Sequence, residues 1–594
     1  MESVLEQLEH NGVVVPDPPQ ARGLKLRVRG EWVALTPAQE EMALAWARKH
    51  GTPYVEDPVF VANFMADFSA ALGLSAPLAL PDVDFAPAVQ WVLAEKEAKA
   101  SLTAEERKLL AAERKAVREA LKARYGRALV NGEEIDLANY VVEPSGIFMG
   151  RGEHPLRGRW KQGATQQEIT LNLSPDAPRP AGDWGEIVWQ PDSLWIARWE
   201  DKLSGKLKYV WPSDSASIKQ AREQHKFDQA TELHAKLDQV RAHIAAELAS
   251  PDAKRRQIAT ACYIIDALCL RVGDEKDEDE ADTVGATTLR PEHVTIYPDG
   301  QVEFRFLGKD SVLWHKTVAL PEPVIRNLEE LSANATRSGE ATAPSGPDNG
   351  DGQLSRAKPQ IFPDITSRDV SAFLSEVIPW LSAKVFRTHH ATQAVAQALR
   401  EANVKPKDPE YVKWRAASLA NREAAILCNH YKKEAATWER GQARMAERQA
   451  KAEERAAKAR QQLEDERAKL DVLRADLAQR LEESPSDEAR EKRRASYAKR
   501  IAAAERWVRA ARLRERRARE SVGQIKARKL VAGRSRNWNL GTSLKSYIDP
   551  RVMTRWGAQV GYDALEKYYP TALRVKFAWA RVSPEHGNDG DAEE

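Results

Sequence analysis

The sequence predicts an α+β chain of several domains, and three observations predict it. The chain has 594 residues, whereas a single hydrophobic core rarely grows past about 250–300. Its patterning is mixed and rich in short strands up to residue 212, then mainly helical. Between 438 and 528 the apolar residues shrink to one narrow stripe per helix. The expected order is a mixed α/β domain over 1–212, a mainly helical domain over 213–435, an antiparallel coiled-coil hairpin over 436–528 and a small globular domain over 529–594.

Each element has a local reason. Leu24, Leu26 and Val28 alternate with basic residues, a turn follows at 29–31, and 32–35 returns; this reads as a β-hairpin. Thr36, Pro37 and Gln39 then supply a cap, a first-turn proline and a capping-box glutamine, which start a helix. Residues 101–125 read as an exposed amphipathic helix, and short strands with Pro/Gly turns dominate 140–212. The segment 254–271 reads as a largely buried helix ending at Arg271. A β-meander follows over 294–297, 303–307 and 312–320, with turns at 298–300 and 308–310. Residues 336–356 are rich in Gly, Ser, Pro and Asp and read as a flexible surface insertion. Helices resume from 367 to about 435. Beyond them Ala456, Leu463, Leu470 and Leu477 repeat every seven residues, and Ser484-Pro485-Ser486 breaks the helix. Tyr497, Ile501, Ala504, Val508 and Ala511 form the second stripe. Two stripes and a break argue for an antiparallel coiled-coil hairpin. The tail after Pro584 is polar and expected to be disordered.

Charge is uneven. The whole chain carries +2, yet 441–530 holds 26 Lys/Arg against 16 Asp/Glu, a net +10 that leaves the rest at −8. A polyanion responds to such patches and not to the average. Three cysteines (Cys262, Cys269, Cys428) lie in apolar helical surroundings without any CxxC pair. They are expected to be reduced core residues, with neither a disulfide framework nor a zinc site. The chain starts without a basic and apolar leader, and no apolar run approaches the ~18 residues of a spanning helix. A soluble intracellular protein is expected.

Five residues stand out for chemistry: Arg271, Lys309, Arg387, His430 and Tyr547. Together they suit the breaking and remaking of a phosphodiester through a protein–phosphate ester, without metal or nucleotide. The spreading negative charge of the transition state calls for fixed guanidinium groups. A phenol ordinarily ionises near pH ~10, so a phenolate nucleophile needs cations nearby. A 5′ oxygen leaves poorly without a proton donor, for which a lysine near DNA is suited. Spacing alone does not single these residues out, because they are scattered over nearly 280 positions.

Their flanking segments do. Leu270-Arg-Val-Gly-Asp-Glu-Lys276 with Ala281-Asp-Thr-Val-Gly285, Phe306-Leu-Gly-Lys-Asp-Ser311, Lys384-Val-Phe-Arg-Thr388, Ala425-Ile-Leu-Cys-Asn-His430 and Leu544-Lys-Ser-Tyr-Ile-Asp-Pro-Arg551 occur in this order. They resemble the type IB DNA topoisomerases of the eukaryotic kind, nearly end to end. Glu143-Pro-Ser-Gly-Ile-Phe-Met-Gly-Arg-Gly-Glu-His-Pro155 resembles the segment where that family's cap meets its catalytic half.

The resemblance implies a DNA clamp: an N-terminal cap, a catalytic domain of tyrosine-recombinase type, a coiled-coil linker and a C-terminal domain bearing the nucleophile. It implies Tyr547 as nucleophile, with Arg271, Arg387 and His430 stabilising the transition state and Lys309 as general acid. It implies DNA contacts at Arg151, Lys208, Tyr209, Lys276, Thr283, Asp310 and Lys384. The implied partner is duplex DNA held by its backbone, largely regardless of sequence, by a monomer that needs no cofactor. No GxxxxGK[ST] motif is present, in keeping with chemistry that needs no ATP.

Two departures matter. The family's eukaryotic members carry a long charged N-terminal arm, whereas this chain starts almost at the clamp, which leaves a bacterial, viral or truncated origin open. The expected location is therefore nucleoid or cytoplasm for such a source, and the nucleus for a eukaryotic one. Ser546 stands where the family usually has Asn, at the site of camptothecin-type poisons, so reduced poison sensitivity is expected. Asp279-Glu-Ala-Asp282 spells a helicase signature but lacks the phosphate loop and reads as an acidic surface loop. His389 and His390 point about 100° apart on a helix and are expected to be structural or DNA-facing. Two alternatives stay open: a tyrosine recombinase, with Lys384-Val-Phe-Arg387 in place of its HxxR motif, and a non-catalytic DNA clamp.

Overall fold

A computed structural model describes residues 5–150, 152–273, 283–341, 359–432 and 437–581, with backbone alone at 310 and 338–341. They fall in two compact units: 1–228 with 244–261 and 272–373, and 229–243 with 262–271 and 374–594.

The first unit opens as its local signals require. The strands Lys25–Val28 and Glu31–Ala34 pair antiparallel, and Val83–Asp84 pairs with the first of them. Arg29 and Gly30 turn the hairpin at φ of 50° and 89°, the left-handed backbone that a two-residue hairpin turn demands. Helix α1 (Pro37–Ala47) carries the full capping box, Thr36 to the Gln39 N–H and back. Helix α2 (Pro58–Ala71) is capped by Asp57. Trp46, Phe60, Phe64, Phe68 and Phe85 form one aromatic core, with Trp46 stacked on Phe64 at 4.6 Å. Arg157 binds Asp57 through two hydrogen bonds and Arg159 binds Asp67, so the 146–161 segment is clasped to α2. Helices α3 (Ala86–Ser101) and α4 (Ala104–Tyr125) follow; α4 buries no residue at all, as its charged periodicity predicts. A four-stranded sheet orders its strands as Glu186–Val188, Thr170–Asn172, Ala197–Glu200 and Leu207–Val210.

The helices α5 (Ser217–Glu247) and α6 (Ala253–Leu268) contribute to both units. Here the structure corrects the sequence reading. The helix stops at Leu268, three residues short of Arg271, because Cys269 takes a left-handed φ of 54°, the usual way a helix is closed at its C-terminus. The meander is present as Val294–Ile296, Gln301–Gly308 and Val312–Ala319, all antiparallel. Helix α7 (Glu322–Ala341) takes up 336–341 of the expected insertion; the remaining 342–356 lies outside the described residues. Helix α8 (Ser367–Ser375) follows.

The second unit is helical. Its core elements are α9 (Ala383–Glu401), α10 (Glu410–Leu427), α11 (Trp438–Glu482), α12 (Asp487–Arg534), α13 (Leu540–Ser546) and α14 (Pro550–Gln559). Helices α11 and α12 run antiparallel, as the cross-pairs Arg474–Glu505 (2.7 Å) and Lys526–Glu453 (2.9 Å) demonstrate. Ala452, Ala459, Leu463 and Leu470 are buried on α11, and Tyr497, Ala511, Ala527 and Val531 on α12. The break falls at 483–486, where the Ser486 hydroxyl caps α12. The ends of the hairpin are sewn together: Lys432 N–H donates to Asn537 O, and Asn539 N–H donates to His430 O. A 97-residue excursion from 438 to 534 thus returns to the place it left.

Candidate active site

Four of the five chemical residues meet in the second unit. Arg387 sits in the second turn of α9 and is 5% exposed. Its Nη2 donates to the Cys428 carbonyl at 2.7 Å. That bond and its burial fix the guanidinium, whose Cζ lies 5.1 Å from the centre of the Tyr547 ring. A cation over a phenol ring is attracted by it. His430 follows the end of α10, turned inward by Asn429 at a left-handed φ of 52°. Its ring lies 5.2 Å from that of Tyr547, and its Nδ1 is 2.7 Å from Ser543 Oγ. Burial, then the charges of Arg387 and Arg271, push the imidazole down to about 3, so it is neutral at physiological pH.

Tyr547 caps the C-terminus of α13 and is half-buried. Its backbone is pinned from both sides. Its N–H donates to Ser543 O, and Thr392 Oγ1 donates to its carbonyl at 3.2 Å while accepting from Asp549 N–H at 3.1 Å. The two side-chain nitrogens left over are informative. Arg387 Nε and His430 Nε2 are buried and have no hydrogen-bond partner among the described residues. Buried nitrogens without a partner are costly, so two of them beside one tyrosine, one on a guanidinium, mark a place for a ligand, and the guanidinium favours an anion.

Arg271 is half-buried, close enough for its charge to depress His430. The chain just beyond it, in the first unit, is held by a close glycine pair. A Cβ on Gly285 would fall 2.4 Å from the Gly273 Cα, and Thr287 bonds the carbonyls of Val272 and Gly273. This explains both glycines in the Arg271 segment.

The remaining candidates scatter more. Lys309 is exposed in a single turn at the tip of the Gln301–Gly308/Val312–Ala319 hairpin, in the first unit. Ser311 beside it touches Gly152, where a Cβ would come within 2.3 Å of Ser311 Oγ. Asp310 shares that turn, its side chain outside the description. Thr283 is half-buried next to Val284, whose N–H donates to Leu307 O of the hairpin. Lys384 is exposed on the first turn of α9, one turn before Arg387. Lys208 and Tyr209 are neighbours on one strand, so they face opposite ways. Lys208 approaches Asp201 (3.6 Å), while Tyr209 lies 5.3 Å from Trp211 on an exposed aromatic face. Arg151, Lys276 and the Asp279–Asp282 loop lie outside the described residues.

Sequence reasoning missed Ser543, Thr392 and a triad centred on the buried Asp266. Asp266 of α6 accepts from Arg241 of α5 at 2.7 Å and meets His390 Nε2 of α9 at 2.6 Å. His389 stacks on His234 at 5.2 Å, and burial first of all lowers it to about 4. The adjacent histidines therefore serve different partners and pack the fold. All three cysteines are free and buried, as expected. Among the described residues no helix is long and apolar enough to cross a membrane.

Comparison with known proteins gives three family matches: the eukaryotic DNA topoisomerase I DNA binding fragment over residues 5–212, the eukaryotic DNA topoisomerase I catalytic core over 215–463, and a C-terminal topoisomerase domain over 519–586. The chain is 31% identical to DNA topoisomerase 1 beta of Arabidopsis thaliana, over 97% of this chain and 59% of that protein. It is 34% identical to DNA topoisomerase 1 of Candidozyma auris, over 75% of this chain and 57% of that one. It is 29% identical to DNA topoisomerase I, mitochondrial, of Pan troglodytes, over 97% of this chain and 89% of that one. The chain thus spans about three fifths of the length of the Arabidopsis and Candidozyma relatives. These relatives are eukaryotic and lend no support to a bacterial or viral source.

Proposed function

The chain belongs to the eukaryotic DNA topoisomerase I family, and from that premise we propose that it relaxes supercoiled duplex DNA without ATP. The reaction is of type IB: one strand is cut, a 3′-phosphotyrosine forms, the free 5′ end rotates and the strand is resealed. The observation that carries this reading is the pair of unpartnered buried nitrogens, Arg387 Nε and His430 Nε2, beside the Tyr547 ring.

The roles follow from charge and reach. Tyr547 attacks phosphorus through Oη as its phenolic proton passes to solvent, the P–O5′ bond breaks, and Lys309 gives a proton to the departing oxygen. Arg271 and Arg387 neutralise the charge that builds on the non-bridging oxygens. The neutral His430 donates from Nε2 to one of them. Resealing runs the same steps backward, and the ester bond conserves the energy. We assign 1–212 to a DNA-binding cap, 213–435 to a catalytic core of tyrosine-recombinase type, 436–528 to a coiled-coil linker and 529–594 to the nucleophile domain. Arg151, Lys208, Tyr209, Lys276, Thr283, Asp310 and Lys384 contact duplex DNA in this reading, mostly at its backbone, with a monomer as the working form.

The test is relaxation of supercoiled plasmid in EDTA without ATP, comparing the natural chain with Tyr547→Phe. Relaxation by the natural chain alone supports the assignment. Relaxation by both points to another nucleophile. Relaxation by neither brings forward the recombinase and the inert clamp.

A further inference from the structure

The proposed chemistry asks His430 to donate a hydrogen bond from Nε2 while remaining neutral. A neutral imidazole has one N–H, on Nδ1 or on Nε2, and the partner of the other nitrogen decides which. The partner of Nδ1 is the Ser543 hydroxyl at 2.7 Å. Ser543 has no exposed surface, and no other hydrogen bond of its hydroxyl is present among the described residues. Nε2 is buried and unpartnered.

Two arrangements satisfy the 2.7 Å contact. If Nδ1 carried the proton and Ser543 accepted it, the Nε2 lone pair would face the phosphate oxygen and repel it. If Ser543 donates to Nδ1, the proton sits on Nε2 and points at the oxygen. The charged groups that face this ring are Arg387 of α9 and Arg271 beyond α6. Both oppose a second proton on the ring, so protonating both nitrogens does not offer a way out.

Ser543 also reaches the nucleophile. Its carbonyl accepts the N–H groups of Tyr547 and Ile548 at 3.0 and 3.2 Å, so one residue ties the orientation of the imidazole to the position of the tyrosine. We propose that Ser543 is a positioning residue for strand cleavage: its hydroxyl donates to His430 Nδ1, holds the proton on Nε2, and registers the imidazole against Tyr547. The inference rests on the type IB reading above.

Two measurements on the full chain test it. The first follows covalent adduct formation in a single turnover on a duplex, for the natural chain, Ser543→Ala, His430→Ala and the double variant. Loss of one neutral orienting hydrogen bond should slow the reaction roughly ten-fold. In the His430→Ala background the serine change should cost less than about two-fold, because its route to the phosphate has gone. Ser543→Cys, a weak donor of similar size, should fall between serine and alanine. An equal ten-fold loss in both backgrounds would mean a merely structural serine and would overturn the proposal, as would an unchanged rate. The second reads the nitrogen shifts of ¹⁵N-histidine-labelled protein without DNA. A proton on Nε2 and a bare Nδ1 are expected at neutral pH; a protonated Nδ1 would overturn the proposal. If the natural chain forms no adduct, the type IB reading fails, while the tautomer measurement still decides the serine–histidine geometry.

Discussion

Replacing Asp266 by asparagine should loosen the contact between α6, which leads to Arg271, and α9, which carries Arg387. Asp266 lies five residues before Arg271, and His390 lies three residues after Arg387, nearly one helical turn. The carboxylate is 7% exposed and meets Arg241 at 2.7 Å and His390 at 2.6 Å. Burial alone would raise its pKa, but the bonds from His390 and Arg241 outweigh that and lower it. It is therefore charged at neutral pH, and hydrogen bonds to a charged group contribute about 1.5–3 kcal/mol each. The Arg241 side chain is 49% exposed, so its share is discounted toward the ~1 kcal/mol or less of a surface pair. Asparagine keeps the volume and one acceptor but not the charge. The expected loss is about 2–3 kcal/mol, or roughly 4–12 °C in Tm for a unit of ~150–250 residues. Calorimetry at pH 7.5 measures it, with adduct formation read in parallel and expected to slow. The sign with pH is fixed. A carboxyl whose folded pKa lies below its unfolded one stabilises fully above the unfolded value and loses this as pH falls through the folded value. The two proteins should therefore converge in strong acid. A Tm within about 1 °C of the natural chain at pH 7.5 would refute the reasoning.

Other outcomes follow from the same geometry. His430 and His389 fold with values lowered to about 3 and about 4, so their stabilisation is complete above the ordinary histidine value near ~6.5 and disappears as pH falls from there. Thermal unfolding against pH should show stability falling on acidification by up to about 1.4 kcal/mol per pH unit for each of them, while the cleavage rate shows no histidine inflexion near pH ~6.5. Gly285→Ala would force a Cβ to within 2.4 Å of the Gly273 Cα; a loss of about 1–3 kcal/mol is expected from overpacking, and unchanged stability would mean the backbones part easily. Relaxation should weaken steeply as salt rises, because backbone contacts release counterions; a flat profile from low to high salt counts against a phosphate-bound clamp. Ser546→Asn should raise the yield of camptothecin-trapped adducts, and equal yields would remove Ser546 from the drug site.

Elements whose signal is local were legible in the sequence. The Thr36 capping box, the hairpin turn at Arg29 and Gly30, and the break at Ser484-Pro485-Ser486 all depend on a few consecutive residues, and all are present. The end of α6 was not legible. Leucine and cysteine carry no stop signal, and the left-handed backbone of Cys269 runs against that residue's own preference. The stripe of α11 was only partly legible. Heptad spacing identified Leu463 and Leu470, yet the buried alanines are Ala452 and Ala459, while Ala456 is half-buried. Alanine gives too weak an apolar signal to fix which face of a helix turns inward.

The site divides in the same way. Arg271, Arg387, His430 and Tyr547 drew notice because their side chains are chemically distinctive and sit in distinctive segments. The residues that orient them are common types with no local signature. Ser543 lies 113 positions from His430, Thr392 lies 155 from Tyr547, and Asp266 lies 124 from His390. A serine, threonine or aspartate on a helix is ordinarily a solvated or capping residue, and only the folded chain brings these beside a partner. What the sequence leaves out is therefore specific: not the groups that would touch the phosphate, but the hydrogen bonds that decide which nitrogen carries a proton and where the phenol stands. Those bonds set the preorganisation on which electrostatic catalysis depends.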